Sequence, residues 1–430
     1  MKVDSWGNQL ARDWRVSRLA RYARIFAGGT PDRENPDYWT DGDIPWVNSG
    51  SVNQFDIVEP SELITQAAMA GSAARWVPRD ALLVALAGQG KTKGMAAQLR
   101  IRATCNQSMA AIVTDDRLHA RFLLWWLTSN YSNLRKMGGG DLRDGLNLQH
   151  IASIPVPLPA VDEQRRIAEF LDRETAQIDE LIAKQERLIS TLSERSAAFR
   201  FHLTTGGLEE RPRSIASSSP WFPDLPEDWV MAPVKYHART GAGAGFPPDA
   251  QGLLDEKYPF LKVNALSKAD DDGVIRWQED TVSLEMASKL GAKIYPAGSC
   301  IIAKIGAALL MGRVRQLSAP SCVDNNVMAL IPQGSTSPRF LYYALQNLRP
   351  DWLVNPGAVP STSEGAVGRV RLPFPPEAEQ IAIAKALDVY MRKVMATERK
   401  LEAALTVLRE RRQALISAAV TGQIDVGGAS

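Results

Sequence analysis

Apolar residues recur every seven positions along two stretches of the chain. In the later one Leu387, Val394, Leu401, Leu408 and Leu415 form a row, with Met391, Leu405 and Ala419 four positions further on. In the earlier one the same slots hold Leu171, Ile178, Gln185, Leu192 and Phe199, with Ile182, Ile189 and Leu203 as the second row. This spacing predicts two helices, each with one narrow apolar seam that needs a partner helix to cover it. Neither stretch contains proline or glycine before Thr205-Gly206 or Thr421-Gly422, where a helix stop is expected. About 40 residues at 1.5 Å each make a helix of roughly 60 Å. The matched lengths and seams favour pairing of the two helices over each packing on its own globular half.

The two stretches are copies. Ile154-Pro155-Val156-Pro157-Leu158-Pro159 leads into Glu163-Gln164, Ile167-Ala168 and Leu171-Asp172. Leu372-Pro373-Phe374-Pro375-Pro376 leads into Glu379-Gln380, Ile383-Ala384 and Leu387-Asp388. From Glu163 to Gly206 the shift is a constant 216 residues, and Leu192/Leu408, Glu194/Glu410 and Arg195/Arg411 coincide. A repeat at half the chain length is too long for a solenoid and indicates a duplicated two-part unit.

Outside the helices the pattern is mixed. Ile44-Pro45-Trp46-Val47-Asn48 reads as a short strand and Ala81 to Leu86 as a buried one, followed by the loop Gly88-Gln89-Gly90-Lys91-Thr92-Lys93-Gly94. Arg121 to Leu127 suits a packed helix, and Gly28-Gly29-Thr30-Pro31 is a turn signal. Residues 227–371 echo this plan faintly. Trp229 answers Trp14, Tyr258 to Asn264 answers the Ile44 strand, and Ser299 to Lys304 answers the Leu83 strand. Asn325-Asn326 answers Asn106-Gln107, and Arg339 to Tyr343 answers the Arg121 helix. Between the halves, Arg211 to Pro226 is rich in Ser and Pro, the composition of a linker. The expected order is a first globular domain (1–153), a first helical region (154–208), the linker (209–226), a second globular domain (227–371) and a second helical region (372–426). The fold class is α+β: two mixed α/β domains separated by two long helices in a pseudo-twofold repeat.

Composition narrows the class. A content of 45% hydrophobic and 23% charged residues is that of an ordinary soluble protein. No apolar run approaches the roughly 20 residues that span a bilayer, and Met1-Lys2-Val3-Asp4 does not open a signal peptide. Cys105, Cys300 and Cys322 form no CxxC pair, which fits buried thiols in a reducing cytoplasmic setting, and the four histidines have no metal-ligand spacing. With a net charge of +2, any nucleic-acid surface must be local.

Catalytic motifs fail on inspection. Gly90-Lys91-Thr92 suggests a phosphate loop, but Ala85 stands where its first glycine is needed. Asn35-Pro36-Asp37-Tyr38 resembles the Asn-Pro-Pro-aromatic loop of amino-methyltransferases, with Asp37 replacing the second proline and no glycine-rich cofactor loop at a plausible distance. No pair of acidic residues sits in a context for general acid–base work. The basic residues, however, are arranged. Ala81–Thr114 holds Lys91, Lys93, Arg100 and Arg102 and no acid; Met286–Val323 holds Lys289, Lys293, Lys304, Arg313 and Arg315 and no acid. Both surround a strand–loop–strand at the same place in the duplicated domain. Such a loop can enter a DNA groove, with Lys and Arg on phosphates and Arg, Gln or Asn on base edges; the alternative is a solvated hairpin.

Together these residues resemble the specificity subunits of type I restriction-modification enzymes. The Pro-x-Pro lead-ins with Glu163-Gln164 and Glu379-Gln380, the Thr-Gly helix ends, and the run from Gly28-Gly29-Thr30-Pro31 through Asn35-Pro36-Asp37-Tyr38-Trp39 to Ile44-Pro45-Trp46-Val47 carry the resemblance, which covers nearly the whole chain. The second domain departs from it, with Gly241-Ala242-Gly243-Ala244-Gly245-Phe246-Pro247 in place of a clean Gly-Gly-Thr-Pro. The resemblance implies two target-recognition domains held apart by antiparallel coiled-coil helices, each domain reading one half of an asymmetric, bipartite site in double-stranded DNA. It implies a non-catalytic chain that docks two modification subunits and a restriction subunit, without a membrane. S-adenosylmethionine, ATP and Mg would be bound by those partners and no cofactor by this chain.

Charge and loop context then nominate Gln89, Lys91, Lys93, Arg100 and Arg102 for DNA contact in the first domain. In the second they nominate Lys304, Arg313, Arg315 and Asn325, with Lys262 and Asn264. The interface expected between helices is Leu171, Ile178, Leu192, Phe199, Leu387, Val394, Leu401, Leu408 and Leu415. A coiled-coil scaffold that binds only proteins is the alternative function.

Overall fold

The computed structural model describes residues 2–10, 14–88, 90–138, 145–209, 211–215, 221–276, 278–354 and 359–426. The chain divides into two units: Met1–Gln185 with Ala404–Ser430, and Glu186–Ala403.

In the first unit a five-stranded sheet has the spatial order Ala23–Ala27, Met109–Thr114, Leu82–Ala85, Ala96–Leu99, Asp56–Ile57. Its pairs are antiparallel except the last, which is parallel. Leu82–Ala85 is buried along its length, as expected for a continuous apolar run covered on both faces. One face packs on helix α1 (Ala120–Ser129), whose residues Phe122 to Leu127 are all buried with Leu82, Val84, Ala110 and Ile112. The other face, with Leu83, Ala85, Ala97 and Ala111, forms a separate core with Val47 and Ile57. A smaller sheet runs Thr104–Cys105, Ile44–Val47, Glu62–Ile64.

The lead-in expected to open the helical region is itself a strand of the domain. Pro155–Leu158 pairs antiparallel with Arg15–Arg18, and only then does helix α2 (Val161–Gly206) begin. Proline is tolerated because this is a two-stranded ribbon, where both strands are edges. The glycines of Gly28-Gly29 are packing residues: a Cβ on Gly28 would run into the carbonyl oxygens of Cys105 and Asn106, and one on Gly29 into the backbone of Ala73 and Ala74.

The second unit repeats this plan. Its five-stranded sheet runs Ala238–Ala242, Val327–Pro332, Cys300–Ala303, Val314–Leu317, Val274–Ile275, and its three-stranded sheet Thr281–Val282, Tyr258–Leu261, Cys322–Val323. Helix α3 (Pro338–Leu345) takes the place of α1. Arg371–Phe374 pairs with Val230–Pro233 before helix α4 (Glu377–Val420). Gly243 meets the Val323 and Asp324 carbonyl oxygens as Gly28 meets those of Cys105 and Asn106, so Asp324, one residue before the expected Asn325, answers Asn106. The Ser-Pro stretch is not wholly linker. Residues 216–220 lie outside the described ones, but Phe222 and Leu225 are buried in the second unit's core and Arg213–Ile215 pairs with Leu225–Pro226.

Each unit contains parts of both long helices. In the first, Ile167, Ala168 and Leu171 of α2 share a core with Ile416, Ala419 and Val420 of α4, and Arg412 pairs with Asp179 at 2.7 Å, so the two segments run antiparallel. In the second, Leu203 of α2 shares a core with Ile383 and Leu387 of α4, and the rings of Phe199 and Tyr390 lie 4.2 Å apart, again antiparallel. Along the seam Leu171, Ile178, Leu387 and Val394 are buried, while Leu192, Phe199, Leu401, Leu408 and Leu415 are half-buried. The helix segments meet each other as expected, and the disfavoured alternative holds as well: the ends of the seam also enter the globular cores.

Candidate nucleic-acid interface

Strand register places three loops at one end of each large sheet. In the first unit Ala85 lies opposite Met109, Ala27 opposite Ala110, and Val84 opposite Ala96. The loop 86–95, the turn from Gly28 and the segment 106–108 therefore emerge together, and Thr30 hydrogen-bonds Gln107 across them. In the second unit Ala303 lies opposite Val327, Met328 opposite Ala242 and Ile302 opposite Val314. This gathers 304–313, 243–247 and 324–326, and the Lys304 N–H donates to the Asn326 carbonyl at 2.8 Å.

The other end of each sheet is tied to its long helix by one repeated network. Arg121 at the start of α1 donates to Asp172 of α2 (2.8 Å), to Gln98 (3.2 Å) and to Asp56 (2.7 Å), and the Trp125 indole N–H also reaches Asp172 (2.9 Å). Arg339 of α3 donates to Asp388 of α4 (2.7 Å) and to Gln316 (3.2 Å), and the Tyr343 hydroxyl donates to Asp388 (2.6 Å). The Glu-Gln signature supplies a second tie. Gln164 accepts the His119 N–H (2.7 Å) and donates to the carbonyls of Pro159 (3.0 Å) and Arg117 (3.1 Å). Gln380 accepts the Ser337 N–H (2.9 Å) and donates to the Pro375 carbonyl (2.8 Å). Each domain thus has a helix end, fixed by largely part-buried polar contacts to its long helix, and an opposite loop end.

The residues nominated for DNA contact divide between these ends. Lys91 is exposed at the loop end; its carbonyl accepts from the Tyr131 hydroxyl, and Arg135 donates to the Gly90 carbonyl at 2.7 Å. Lys93 is in the same loop but buried, and Gln89 lies outside the described residues. Arg100 is not with them. It follows the far end of strand Ala96–Leu99 and pairs with Asp56 (2.7 Å) and Asp80 (3.0 Å). Arg102 lies further along the chain, exposed, its guanidinium 4.2 Å from the Trp76 ring centre. In the second unit Lys304, Arg313 and Asn325 gather at the loop end. Arg315 is largely enclosed: burial holds it below the ordinary guanidinium value, and one of its nitrogens donates to the Val314 carbonyl. Lys262 is engaged by Asp280 (2.8 Å) and Gln251 (3.0 Å), and Asn264 donates to Glu279 (2.7 Å). Net charge along a stretch of chain does not reveal acids such as Asp56 and Asp280, which arrive from distant segments.

The architecture is that of a duplicated recognition module mounted on long helices. The chain belongs to the family described as the type I restriction modification DNA specificity domain, whose model matches residues 11–190 and 245–407. It is similar to the type I restriction enzyme MjaIX specificity subunit of Methanocaldococcus jannaschii, with 21% identity over 97% of this chain and 95% of that one. It is also similar to the EcoR124I/EcoR124II specificity subunit of Escherichia coli, at 24% identity over 37% of this chain and 40% of that one. Its fold resembles that of a chain from a structure of complex assembly and conformational transition of the type I R-M system: TM-score 0.72 and 18% identity, over 97% of this chain and 100% of that one. It also resembles the HsdS subunit of Thermoanaerobacter tengcongensis: TM-score 0.51 and 17% identity, over 96% and 98%. This chain is accordingly a specificity subunit, the non-catalytic member of a type I restriction-modification system. No described helix is long and apolar enough to cross a membrane.

Proposed function

We propose that each globular domain reads one half of a bipartite site in double-stranded DNA through the loop end of its five-stranded sheet, and that the long helices carry the partner subunits. The observation that supports this best is the repeated polarity of the domains. Both copies fix one sheet end to the helices through the same Gln–Arg–Asp network and leave exposed basic or polar residues, Lys91 in one and Asn325 in the other, at the opposite end. Because one chain supplies both domains, the half-sites need not match, and the helices set the unspecified gap between them, as subunit spacing does in dimeric repressors. The partners are two modification subunits, which bind S-adenosylmethionine and methylate adenine N6, and a restriction subunit that uses ATP and Mg to translocate and cleave DNA. The setting is the cytoplasm.

Methylated adenines mapped across the host genome, with and without this gene, test the reading. Loss of one asymmetric two-part motif on deletion is expected. An unchanged map, from a complex that still co-purifies with its modification subunits, would instead favour a protein-binding scaffold that never reads DNA.

A further inference from the structure

The loops at the two reading ends are one scaffold with two different tips. Residues 86–95 join Leu82–Ala85 to Ala96–Leu99, and residues 304–313 join Cys300–Ala303 to Val314–Leu317, so the loops are equal in length and related by a shift of 218. The shift superposes two glycines: Gly88 on Gly306, with φ of 148° and 72°, and Gly94 on Gly312, with φ of 84° and 59°. All four have the positive φ that side-chain-bearing residues rarely adopt. What lies between them has changed chemistry. Gln89, Lys91, Thr92 and Lys93 in the first domain correspond to Ala307, Leu309, Leu310 and Met311 in the second.

In the second domain the tip forms a short helix, Gly306–Leu310. Leu309 is 4% exposed and sits in the core with Ile301, Leu317 and Val327. The base of the loop is braced by 360–362: Gly306 donates to the Pro360 carbonyl, and Thr362 to that of Lys304, each at 2.8 Å. Against this fixed frame Leu310 is 50% exposed and Met311 61% exposed. Lys304 and Arg313 stand at the two ends of the loop, and no ion pair holds either among the described residues. Two water-facing apolar side chains between two free cations are poor solvent chemistry but complement DNA. The cations suit the phosphates, and the apolar tip suits the one apolar group on the major-groove edge of a base pair, the thymine C5-methyl. A helix of roughly 10–12 Å diameter also fits a major groove about 12 Å wide.

Resting on the DNA-reading role above, we infer that Leu310 and Met311 are specificity residues of the second domain that recognise thymine methyl groups in the major groove, whereas the first domain's corresponding loop reads with polar side chains. The subunit thus reads its two half-sites by different chemistry on a shared loop frame.

The test uses the full chain assembled with its modification subunits. The wild-type methylation map first gives the bipartite motif. Leu310→Thr with Met311→Lys, which places the first domain's residues on the second domain's tip, should relax one or two A·T positions in one half-motif and leave the other half unchanged. In duplexes carrying the motif, replacing thymine by uracil one position at a time should weaken wild-type binding about three- to tenfold at those same positions, and leave the double variant unaffected. The inference is overturned if the second half-motif contains only G·C pairs, if the double variant keeps the full motif, or if uracil is tolerated throughout that half. Loss of both half-motifs together with the modification subunits would overturn it too, by assigning the tip to protein docking. A wild-type complex that methylates at no motif would remove the DNA-reading role itself.

Discussion

Gln164 shows why the Glu-Gln signature occurs twice. Its side chain is fully buried, and its two ends do opposite work: the oxygen accepts the His119 N–H at the start of α1, and the nitrogen donates to the carbonyls of Pro159 and Arg117. Of the common side chains of this length, only an amide offers both acceptor and donor at one tip. Gln164→Glu keeps the shape but removes the donor and sets a carboxylate against two carbonyl oxygens. Leaving buried acceptors unpaired costs about 1–3 kcal/mol, and more where a charge is involved. The first unit should therefore melt several degrees lower, and the same substitution at Gln380 should affect the second unit. Thermal unfolding followed by near-UV circular dichroism checks this; equal melting of wild type and variant would remove the capping role. Nothing in the order of residues says that the partner of Gln164 is the backbone of residue 119, so the motif was legible as a signature but not as a cap.

The helix that Gln164 caps brings a titratable group with it. His119 precedes α1, where burial, then Arg165, holds its imidazole below the ordinary value, and a positive charge at a helix N-terminus is disfavoured as well. The unfolded chain, with an imidazole value near 6.5, takes up this proton first. The contribution of neutral His119 to stability is thus full above about pH 6.5 and is lost as pH falls from there towards its lower folded value. Chemical denaturation of wild type and His119→Gln between pH 7.5 and 5 should show a steeper loss in wild type; parallel curves would exclude His119 as the cause. At this scale the sequence was informative where local periodicity decides structure. The strands at Leu82 and Cys300 and helix α1 stand where alternation and apolar runs place them. It was silent where single residues meet across long intervals. Arg100 read as a free cation because its stretch holds no acid, yet Asp56 and Asp80 reach it from neighbouring segments. The Ser-Pro stretch read as linker because composition averages over many residues, whereas Phe222 and Leu225 are buried in the core and Arg213–Ile215 pairs with Leu225–Pro226. The two loops stand out in the sequence as a pair, but their residue-by-residue match needed strand register, which fixes the shift at 218 residues.

For the whole chain, the seven-residue rows make a prediction about DNA. Helices α2 and α4 each contribute to both units, the divisions falling after Gln185 and after Ala403. Under the proposed function these helices set the distance between the half-sites that the two domains read. Inserting seven residues into both helices at these two points preserves the apolar seam, because the heptad period returns each row to the same face. At 1.5 Å per residue it adds about 10 Å, which at about 3.4 Å per base pair is roughly three base pairs of DNA. The doubly inserted subunit, assembled with its modification partners, should methylate a motif with unchanged half-sites and a gap about three base pairs longer. The added rotation of the duplex works against this gain: three base pairs turn B-DNA by roughly a quarter to a third of a helical turn, given about 10–10.5 base pairs per turn, so affinity should fall even as the gap lengthens. An insertion in one helix alone leaves the antiparallel segments unmatched and should abolish methylation instead. A double insertion that keeps the original gap would show that something other than helix length sets the spacing, and the helices would then be left with partner docking as their only task.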